Sequence, residues 1–538
     1  MISASDIGNF PNCDRVNRPT ASQHFYLAID AGTQSIRSAI VDDSGNIVDL
    51  VKIPIEPYFS EQPGWAEQHA DYYWAVLCES SQTLLKRQSG LIARLCAVSV
   101  TSQRATMINL DAKGQPLRPA ILWLDDRKAQ MQRLWPGPVE WLLRVAGLHS
   151  AIRLTYQNAE WNWLAQNQPE VIAKTHKYLL LSGYLHFRLT EQFHESISNT
   201  VGYLPFDYKK QVWYTPRNPL RRLFDVPLEK LPKLFPTGST IGSITSQAMR
   251  QSGIPEGLPL IAGAADKAAE VLGCGVIDNS SIACLSLGTT ATVESVSKHY
   301  REVERLVPLY PSAVAGMYNS EIMIYKGFWM ISWFRDQFGH LEKELASQAG
   351  KSAESQLDLL LDSVPAGCMG LVTQPYWGSG VRYPEPEAKG SMIGFGDVHG
   401  KAFVFRSIIE GLGYAMKEGL QKTERRLSRK FLSLRVAGGG SQSDRVLQIL
   451  ADIFNLPTER PHTSEASILG TAINMSVALR HHTDYSTAVQ HMVRVGTRFE
   501  PNPKNVRLYE QLYRRVYLKL YARLRPLYKE IRDITGYP

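Results

Sequence analysis

The chain has 538 residues, of which 44% are hydrophobic and 20% charged, as expected of a globular protein with more than one domain-sized unit. The net charge of +8 is spread along the chain without a recognised nucleic-acid motif, so we expect no nucleic-acid partner. The sequence contains no run of 18 apolar residues, so it predicts no membrane span. The six cysteines are scattered, with no CxxC pair or nearby histidine cluster at zinc spacing, which is typical of reduced thiols.

The first half of the chain predicts strands followed by helices. The polar residues 1–24 precede the first folding signal and are expected to form a disordered leader. Strands are predicted at Phe25–Asp30, Ile36–Val41, Ile47–Ile53, Ala97–Ser102 and Met107–Leu110. Helices are predicted at Ala159–Gln166 and Lys177–Leu189.

A similar strand–turn–strand pattern returns in the second half, at Ser281–Ser286 and Ala291–Ser295. This weak internal repeat predicts two related α/β domains, residues 25–277 and 278–538, with a cleft between them where ligands would bind. Helices are predicted at Val404–Arg426, Asp444–Phe454, Ile468–Leu479 and Val506–Ile534. We expect the last of them to pack on the second domain as a terminal cap.

An acidic residue and a tight turn end the first predicted strand. Asp30 is followed by Gly32, Thr33 and Ser35. Glycine lets the backbone approach a ligand, and backbone N–H groups and the threonine hydroxyl can donate to phosphate oxygens. A carboxylate here can hold Mg²⁺ through water. The pattern predicts a phosphate turn with a magnesium ligand, but an ordinary hairpin with an Asp-capped turn would have the same sequence.

Small residues and an aspartate follow another buried strand, in the segment Ile261–Glu270. Asp266 stands where a helix is predicted to begin, so a simple helix cap is one interpretation. The small residues before it leave room for a substrate. The functional interpretation is that Asp266 is a general base, which accepts a proton from a substrate hydroxyl.

Two more glycine turns predict contacts with a nucleotide. Gly288 and Thr289 repeat the first phosphate turn, although a plain hairpin has the same pattern. Gly438 and Gly439 follow a strand and precede Ser443, at the start of an amphipathic helix. A strand, glycines and a helix N-terminus are typical of nucleotide sites.

Taken in this order, the Asp-x-Gly-Thr, Gly-x-x-Asp, Gly-Thr-Thr and Gly-Gly-Gly motifs resemble the FGGY family of carbohydrate kinases. Further matching segments are Pro63–Gln68, Ile121–Arg127, Ser198–Gly202, Glu410–Gly411 and Glu465–Gly470. The resemblance covers about residues 25–530. It implies an α/β fold of two ribonuclease-H-like (actin-like ATPase) domains around a central cleft. It also implies ATP-dependent phosphorylation of a hydroxyl of a small sugar, ketopentose or sugar alcohol.

The resemblance further implies a role for each matching residue. Asp266 would be the catalytic base, and Asp30 would serve the Mg²⁺ site. The residues implied to bind the nucleotide and its phosphates are Thr33, Ser35, Gly288, Thr289, Gly438, Gly439 and Ser443. Those implied to contact the acceptor, besides Asp266, are Gln103, Arg104, Trp123 and, as a weaker candidate, Tyr156.

The predicted acceptor site combines features of two branches of the family. Gln103 and Arg104 resemble glycerol kinase, but Ala105 follows where that enzyme has a glutamate, so a carboxylate contact to a polyol is missing. The Trp-x-Asp-x-Arg segment 123–127 resembles the pentulose kinases instead. Polyol, ketopentose and sugar acid therefore all stay open as substrates.

The alternative to an enzyme is a non-catalytic regulatory protein that binds a sugar or nucleotide on the same fold. All the expected acids and phosphate turns are present, which favours the enzyme. The resemblance implies ATP and Mg²⁺ as cofactors and a small-molecule sugar or polyol as substrate. The lack of a long apolar run predicts no membrane partner, and the scattered cysteines predict a cytoplasmic location. A homodimer is compatible with the sequence.

Overall fold

The computed structural model describes residues 24–278, 280–378, 384–385 and 387–537. Of the predicted leader, residues 1–23 lie outside the described residues.

In the first half, the strands are β1 (Phe25–Ala31), β2 (Ser35–Asp42), β3 (Ile47–Pro54), β4 (Glu67–Gln68), β5 (Leu95–Ser102), β6 (Met107–Leu110), β7 (Ala120–Ile121), β8 (Lys177–Leu180), β9 (His194–Ser196), β10 (Phe206–Asp207), β11 (Val212–Trp213), β12 (Lys233–Phe235), β13 (Thr240–Ser243) and β14 (Pro259–Ile261). The helices are α1 (Ala70–Arg87), α2 (Gly137–Val145), α3 (His149–Gln157), α4 (Glu160–Asn167), α5 (Pro169–Lys174), α6 (Leu181–Thr190), α7 (Ser246–Ser252) and α8 (Asp266–Gly273).

In the second half, the strands are β15 (Ile282–Leu287), β16 (Ala291–Ser297), β17 (Tyr310–Pro311), β18 (Tyr318–Ile324), β19 (Val372–Gln374), β20 (Ser391–Ile393), β21 (Ser433–Ala437), β22 (Thr458–Pro461) and β23 (Val495–Phe499). The helices are α9 (Trp329–Phe338), α10 (His340–Ala349), α11 (Ala353–Leu359), α12 (Lys401–Leu427), α13 (Asp444–Phe454), α14 (Ala466–Ala478), α15 (Tyr485–Met492), α16 (Pro503–Leu512) and α17 (Leu518–Thr535).

Two mixed sheets with the same pairing pattern dominate the structure. The first has the order β13-β14-β5-β1-β2-β3, and the second β17-β18-β16-β15-β21-β22-β23. In each, an antiparallel meander is continued by two parallel strands and closed by an antiparallel one. β17 is an additional edge strand. The internal repeat predicted from the two glycine turns is therefore confirmed at the level of strand pairing. A smaller sheet, β4-β7-β6-β8, lies in the first half.

One predicted helix is wrong in its first turn. Residues 177–189 have a helical pattern, but Lys177–Leu180 form β8 and the helix α6 begins only at Leu181. The four residues pair antiparallel with Met107–Leu110. A short apolar run is compatible with either a helix or a strand. Here the run forms a strand because it pairs with the edge of β6.

The terminal segment caps the second half, as predicted. It is not one helix, because a π-helical turn, Tyr513–Tyr517, joins α16 to α17. Tyr509, Tyr513 and Tyr517 are buried against Tyr414 of the long helix α12, with ring centroids between 5.2 and 6.2 Å apart. Burial of these rings fixes the C-terminal segment on the second sheet's helical layer.

The first sheet is buried on both faces. Alternate residues of β1 point to opposite cores, with Leu27 and Ile29 on the side of α1 and Tyr26 and Ala28 on the side of α14. Helix α14 belongs to the second half of the chain, yet it covers the first sheet. The two halves are thus held together by a shared core.

Helices α8 and α14 cross at a contact of backbone on backbone. A Cβ added to Gly273 would lie 1.8 Å from the carbonyl oxygen of Ala466, and one added to Gly470 would lie 1.9 Å from that of Ala269. Only glycine at both positions permits this approach. The crossing holds the two helices together, and both begin beside predicted site residues, α8 at Asp266 and α14 next to Asp30.

Replacing Gly470 with Ala is expected to destabilise the protein by about 1–3 kcal/mol, the range for overpacking in a tight core. The clash is with backbone, which cannot rotate away as a side chain can. Denaturant unfolding followed by circular dichroism measures the loss. Gly90→Ala is the matched control, since a Cβ there meets nothing within 4 Å. Equal stability of the two variants would contradict the close crossing.

Candidate active site

Asp30 lies buried at the end of β1, with one carboxylate oxygen bound and the other not. Its Oδ2 accepts hydrogen bonds from Arg37 (3.1 Å) and from the Ser467 hydroxyl at the start of α14 (2.8 Å). Its Oδ1 is buried without a hydrogen-bond partner among the described residues. Burial raises the pKa of Asp30 to about 6, although Arg37 opposes the shift. An unpartnered carboxylate oxygen at this depth is suited to a cation or its bound water.

The first glycine turn is linked to the predicted acceptor residues. The Thr33 hydroxyl donates to Gln103 Oε1 (2.8 Å) and accepts from the Trp123 indole nitrogen (3.1 Å). Gln103 in turn donates to the hydroxyl of Tyr73 (3.0 Å). The turn itself is closed by a hydrogen bond from the Gly32 N–H to the Ser35 carbonyl (3.1 Å). Three residues predicted from separate motifs therefore form one hydrogen-bonded group.

A buried ion-pair network supports the turn that carries Trp123. Arg127 donates to Asp125 (2.7 Å) and Glu67 (2.6 Å), and its guanidinium lies over the rings of Trp65 and Trp163 at 4.0 and 4.7 Å. The segments 63–68 and 121–127, which match the family motifs, therefore contact each other and together support Trp123. Trp123 itself is 39% exposed, which leaves its ring available to a ligand.

Asp266 is the first residue of α8, and its carboxylate faces Arg104. Arg104 Nε lies 3.9 Å from Asp266 Oδ1, which also accepts the Lys267 N–H (2.8 Å). Burial raises the pKa of Asp266, while Arg104 and Lys267 oppose the rise. The side chain is still 33% exposed, so an acceptor can reach it.

A single backbone segment positions both residues. The Ala265 N–H donates to the Ser198 carbonyl (3.0 Å), and the Ala105 N–H donates to the Val201 carbonyl (3.1 Å). Ala265 precedes Asp266, and Ala105 follows Arg104. The segment 198–202, known from the sequence only as a matching motif, therefore connects the two sides of the site.

Glu321 is the site residue that sequence reasoning missed. It lies on β18 in the second half and forms a two-pronged ion pair with Arg104, at 2.7 and 3.0 Å. Burial raises the pKa of the Glu321 carboxyl, but Arg104 outweighs this and holds the pKa below its ordinary value. A signal for it in the sequence is a single glutamate in the middle of the segment that forms β18. A buried carboxylate in a strand needs a partner of opposite charge.

A second glutamate stands directly across from Glu321 in the sheet. Glu294 on β16 is its antiparallel register partner, and like charges in such a pair are unfavourable. Burial, together with the Glu321 charge, raises the pKa of Glu294 well above its ordinary value. Of the two carboxyls, Glu294 therefore has the greater affinity for a proton, and Glu321 is the one held in its charged form by Arg104.

Lys267 brings a positive charge to the second glycine turn. Its ammonium donates to the Ser286 hydroxyl (2.5 Å) and lies 3.4 Å from Glu270. A Cβ built on Gly288 would lie 3.8 Å from this ammonium. Thr289, next in the turn, is exposed. An exposed hydroxyl, glycine and a nearby cation suit a phosphate group.

The triple-glycine turn is shaped by close contacts on two sides and is open on the third. Gly438 has a φ of +81° and packs on the end of β15, and a Cβ on Gly440 would lie 2.6 Å from Phe328. A Cβ on Gly439 would meet nothing within 4 Å. The Ser443 hydroxyl caps α13 by accepting the Val446 N–H (3.1 Å). It also donates to Asp358.

Tyr156 stands apart from these groups. It is buried in the apolar cluster beside α4, and burial raises the pKa of its hydroxyl. Its contact with an acceptor stays a prediction.

Comparison with known proteins identifies the same family along the chain. The model described as FGGY family of carbohydrate kinases, N-terminal domain, matches residues 25–273, and the C-terminal domain model matches residues 283–479. The chain is 30% identical over 501 residues to the "Uncharacterized sugar kinase YgcE" of Escherichia coli, covering 93% of this chain and 94% of that protein. It is 28% identical over 513 residues to the xylulose kinase of Staphylococcus epidermidis, covering 95% and 99%.

The fold agrees with that of solved structures. The xylulose kinase from Rhodospirillum rubrum superposes with a TM-score of 0.78 at 24% identity, over 94% of this chain and all of that one. The predicted fold class of two actin-like domains is confirmed. No helix among the described residues is both long and apolar enough to cross a bilayer.

Replacing Asp30 with Asn is expected to raise the melting temperature of the nucleotide-free protein at pH 7.5, while lowering kinase activity. In the folded protein the pKa of Asp30 is about 6, against an ordinary value of 3.8. Between pH 3.8 and about pH 6, the folded state binds the Asp30 proton more tightly than the unfolded state does. The contribution of Asp30 to the free energy of unfolding therefore falls as the pH rises through this range.

The gain in melting temperature should therefore be larger at pH 7.5 than at pH 5, as measured by differential scanning calorimetry with chelator present. Asp533→Asn is the control, because that carboxylate is exposed on α17. A gain that does not change between the two pH values would contradict the buried, proton-binding Asp30.

Proposed function

Because the chain belongs to the FGGY family of carbohydrate kinases, and is thus a kinase that uses ATP to phosphorylate a sugar, we propose that Asp266 is its catalytic base. The base takes the proton from the acceptor hydroxyl as the hydroxyl oxygen bonds to the terminal phosphorus of ATP. The bond from that phosphorus to the bridging oxygen breaks, and the products are a sugar phosphate and ADP. Phosphoryl transfer of this kind depends mostly on positioning and charge.

The observation that carries this assignment is the position of Asp266. Of the two predicted acids, Asp30 has a buried side chain, whereas that of Asp266 is 33% exposed and lies 3.9 Å from Arg104. The raised pKa favours acceptance of a proton, and the start of α8 favours the carboxylate form at rest.

We propose that Asp30 serves a Mg²⁺ ion. The fit rests on its unpartnered, buried Oδ1 and on the preference of Mg²⁺ for oxygen ligands and retained waters. When bound, the ion would neutralise charge on the nucleotide phosphates. Arg37 and Ser467 hold the other oxygen and so orient the carboxylate.

The glycine turns would hold the nucleotide from both sides of the cleft. We propose that the phosphates contact Thr33, Ser35, Gly288 and Thr289, and that the remainder of the nucleotide borders Gly438, Gly439 and Ser443. The exposed Thr289 and the open face of Gly439 support this placement. Since the domains 25–277 and 278–538 each supply one phosphate turn, closure of the cleft would complete the site and exclude water.

The charge of the acceptor site favours a neutral substrate. Arg104 is already paired through two hydrogen bonds with Glu321, and Asp266 adds a second carboxylate beside it. An anionic sugar acid would face these two carboxylates with no unpaired Arg104 charge to bind it. We therefore propose a ketopentose or sugar alcohol as acceptor rather than a sugar acid. Gln103 and Trp123 would supply hydrogen-bonding and apolar contacts.

We place the reaction in the cytoplasm, where ATP is available and thiols stay reduced. The five described cysteines form no disulfide: Cys78, Cys96, Cys274, Cys284 and Cys368.

Analytical ultracentrifugation distinguishes a monomer from the homodimer that the sequence allows.

Asp266→Asn is expected to lower kcat by a factor on the order of 10² or more, within the range for loss of a general base. Asparagine keeps the size and the first-turn position but cannot take the proton. A coupled ADP-release assay at saturating Mg-ATP measures kcat. The control Asp71→Asn makes the same chemical change in the first turn of α1. Near-normal turnover of Asp266→Asn would exclude the assignment.

The acceptor preference can be tested with xylulose, ribulose, xylitol, glycerol and gluconate. We expect kcat/KM for the best neutral acceptor to exceed that for gluconate at least tenfold, a difference of about 1.4 kcal/mol. Glu321→Gln should reduce this ratio, because it frees the Arg104 charge. Glu294→Gln is the matched control, since it makes the same chemical change at the register partner of Glu321 on the adjacent strand, where the carboxyl has a raised pKa. Gluconate as the best acceptor of the wild-type enzyme would refute the proposal.

A further inference from the structure

Three potential metal ligands from distant parts of the chain meet at the far end of the first sheet. His24 precedes β1, Cys96 is the second residue of β5, and His481 follows the end of α14. One ligand atom from each side chain lies within 4.8 Å of the other two. All three side chains are partly buried, so they are reachable but not free in solvent.

The spacing fits a common centre. The distance from Cys96 Sγ to His24 Nδ1 is 3.7 Å. Two ligands of one tetrahedral zinc, with Zn–S near 2.3 Å and Zn–N near 2.0–2.1 Å, lie about 3.6 Å apart. The imidazole rings of His24 and His481 are stacked, with centroids 3.6 Å apart, which keeps the two histidines beside each other next to the thiol.

The surroundings supply what a metal-bound histidine requires. The hydroxyl of Tyr26 lies 2.8 Å from His481 Nδ1. A histidine bound to metal through one nitrogen commonly donates a hydrogen bond from the other, which fixes its ring. Tyr26 is fully buried and can hold the ring of His481 in this way. The carboxylate of Asp43 acts on both Tyr26 and His481 and adds negative charge near a cation.

The donor set indicates the class of metal. Two imidazoles and one thiolate suit Zn²⁺ and related borderline ions, and disfavour Mg²⁺ and Ca²⁺, which prefer oxygen. Three protein ligands leave one coordination position for water.

We propose that His24, Cys96 and His481 form a binding site for Zn²⁺ or a similar transition-metal ion, distinct from the active site. It lies at the opposite end of β1 from Asp30, six residues and therefore about 20 Å away. The bound ion ties the start of the first sheet to the end of α14, the helix that connects the two halves. Its role is to stabilise this junction, and it does not depend on the kinase chemistry.

The test uses the full chain with any purification tag removed. The protein is stripped with a chelator, loaded with Zn²⁺ or Co²⁺, desalted and analysed for metal content and absorption. We expect one Zn²⁺ per chain, an increase in melting temperature, and for Co²⁺ the visible bands of a four-coordinate ion with a thiolate charge-transfer band. Cys96→Ser should abolish the thiolate band and weaken Zn²⁺ binding at least about tenfold, and Tyr26→Phe should weaken it with the band retained.

Two matched variants serve as controls. Cys78→Ala removes a thiol from α1, and His340→Asn removes an exposed imidazole from α10. Both should bind metal as the wild type does, and circular dichroism should show that all variants fold. Lack of a thiolate band in the wild type, or Zn²⁺ uptake that survives Cys96→Ser, would overturn the proposal. Kinase activity is assayed separately, so that failure of either proposal is seen independently of the other.

Discussion

The backbone crossing of α8 and α14 is the constraint on which the rest of the structure depends. Gly273 and Gly470 let the two helices touch without side chains between them. Close to this crossing, α8 begins at Asp266 and α14 brings Ser467 within hydrogen-bonding distance of Asp30. The shared core around α14 joins the first sheet to the second half of the chain.

Buried charge organises the site around this crossing. Arg104 from the first half is paired with Glu321 from the second, and Asp266 lies at the edge of the pair. A buried ion pair with both partners satisfied is tolerated, whereas removal of one partner leaves a charge without compensation. The pair therefore links the two halves electrostatically and also fixes which charge an acceptor meets. Burial and the neighbouring Glu321 raise the pKa of Glu294, its register partner, which disfavours a third negative charge here.

The parts of the fold that were predictable have local causes. The strands β1, β2 and β3 follow from apolar runs separated by glycine turns, and α13 follows from its apolar face and the Ser443 cap. The segment Lys177–Leu180 was mispredicted as helix because its structure is decided by a partner strand, Met107–Leu110, which a local pattern does not contain.

By itself, the sequence determined the family and the order of the motifs, and it predicted Asp30, Thr33 and Asp266 as candidate site residues, because glycine turns and acids at strand and helix ends leave a local signature. Only the tertiary structure placed Glu321 against Arg104 and brought His24, Cys96 and His481 together. Arg104 and Glu321 are 217 positions apart, Cys96 and His24 are 72 apart, and His24 and His481 are more than 400 apart. No spacing in the chain encodes them, since they depend on how two sheets and a crossing pair of helices pack.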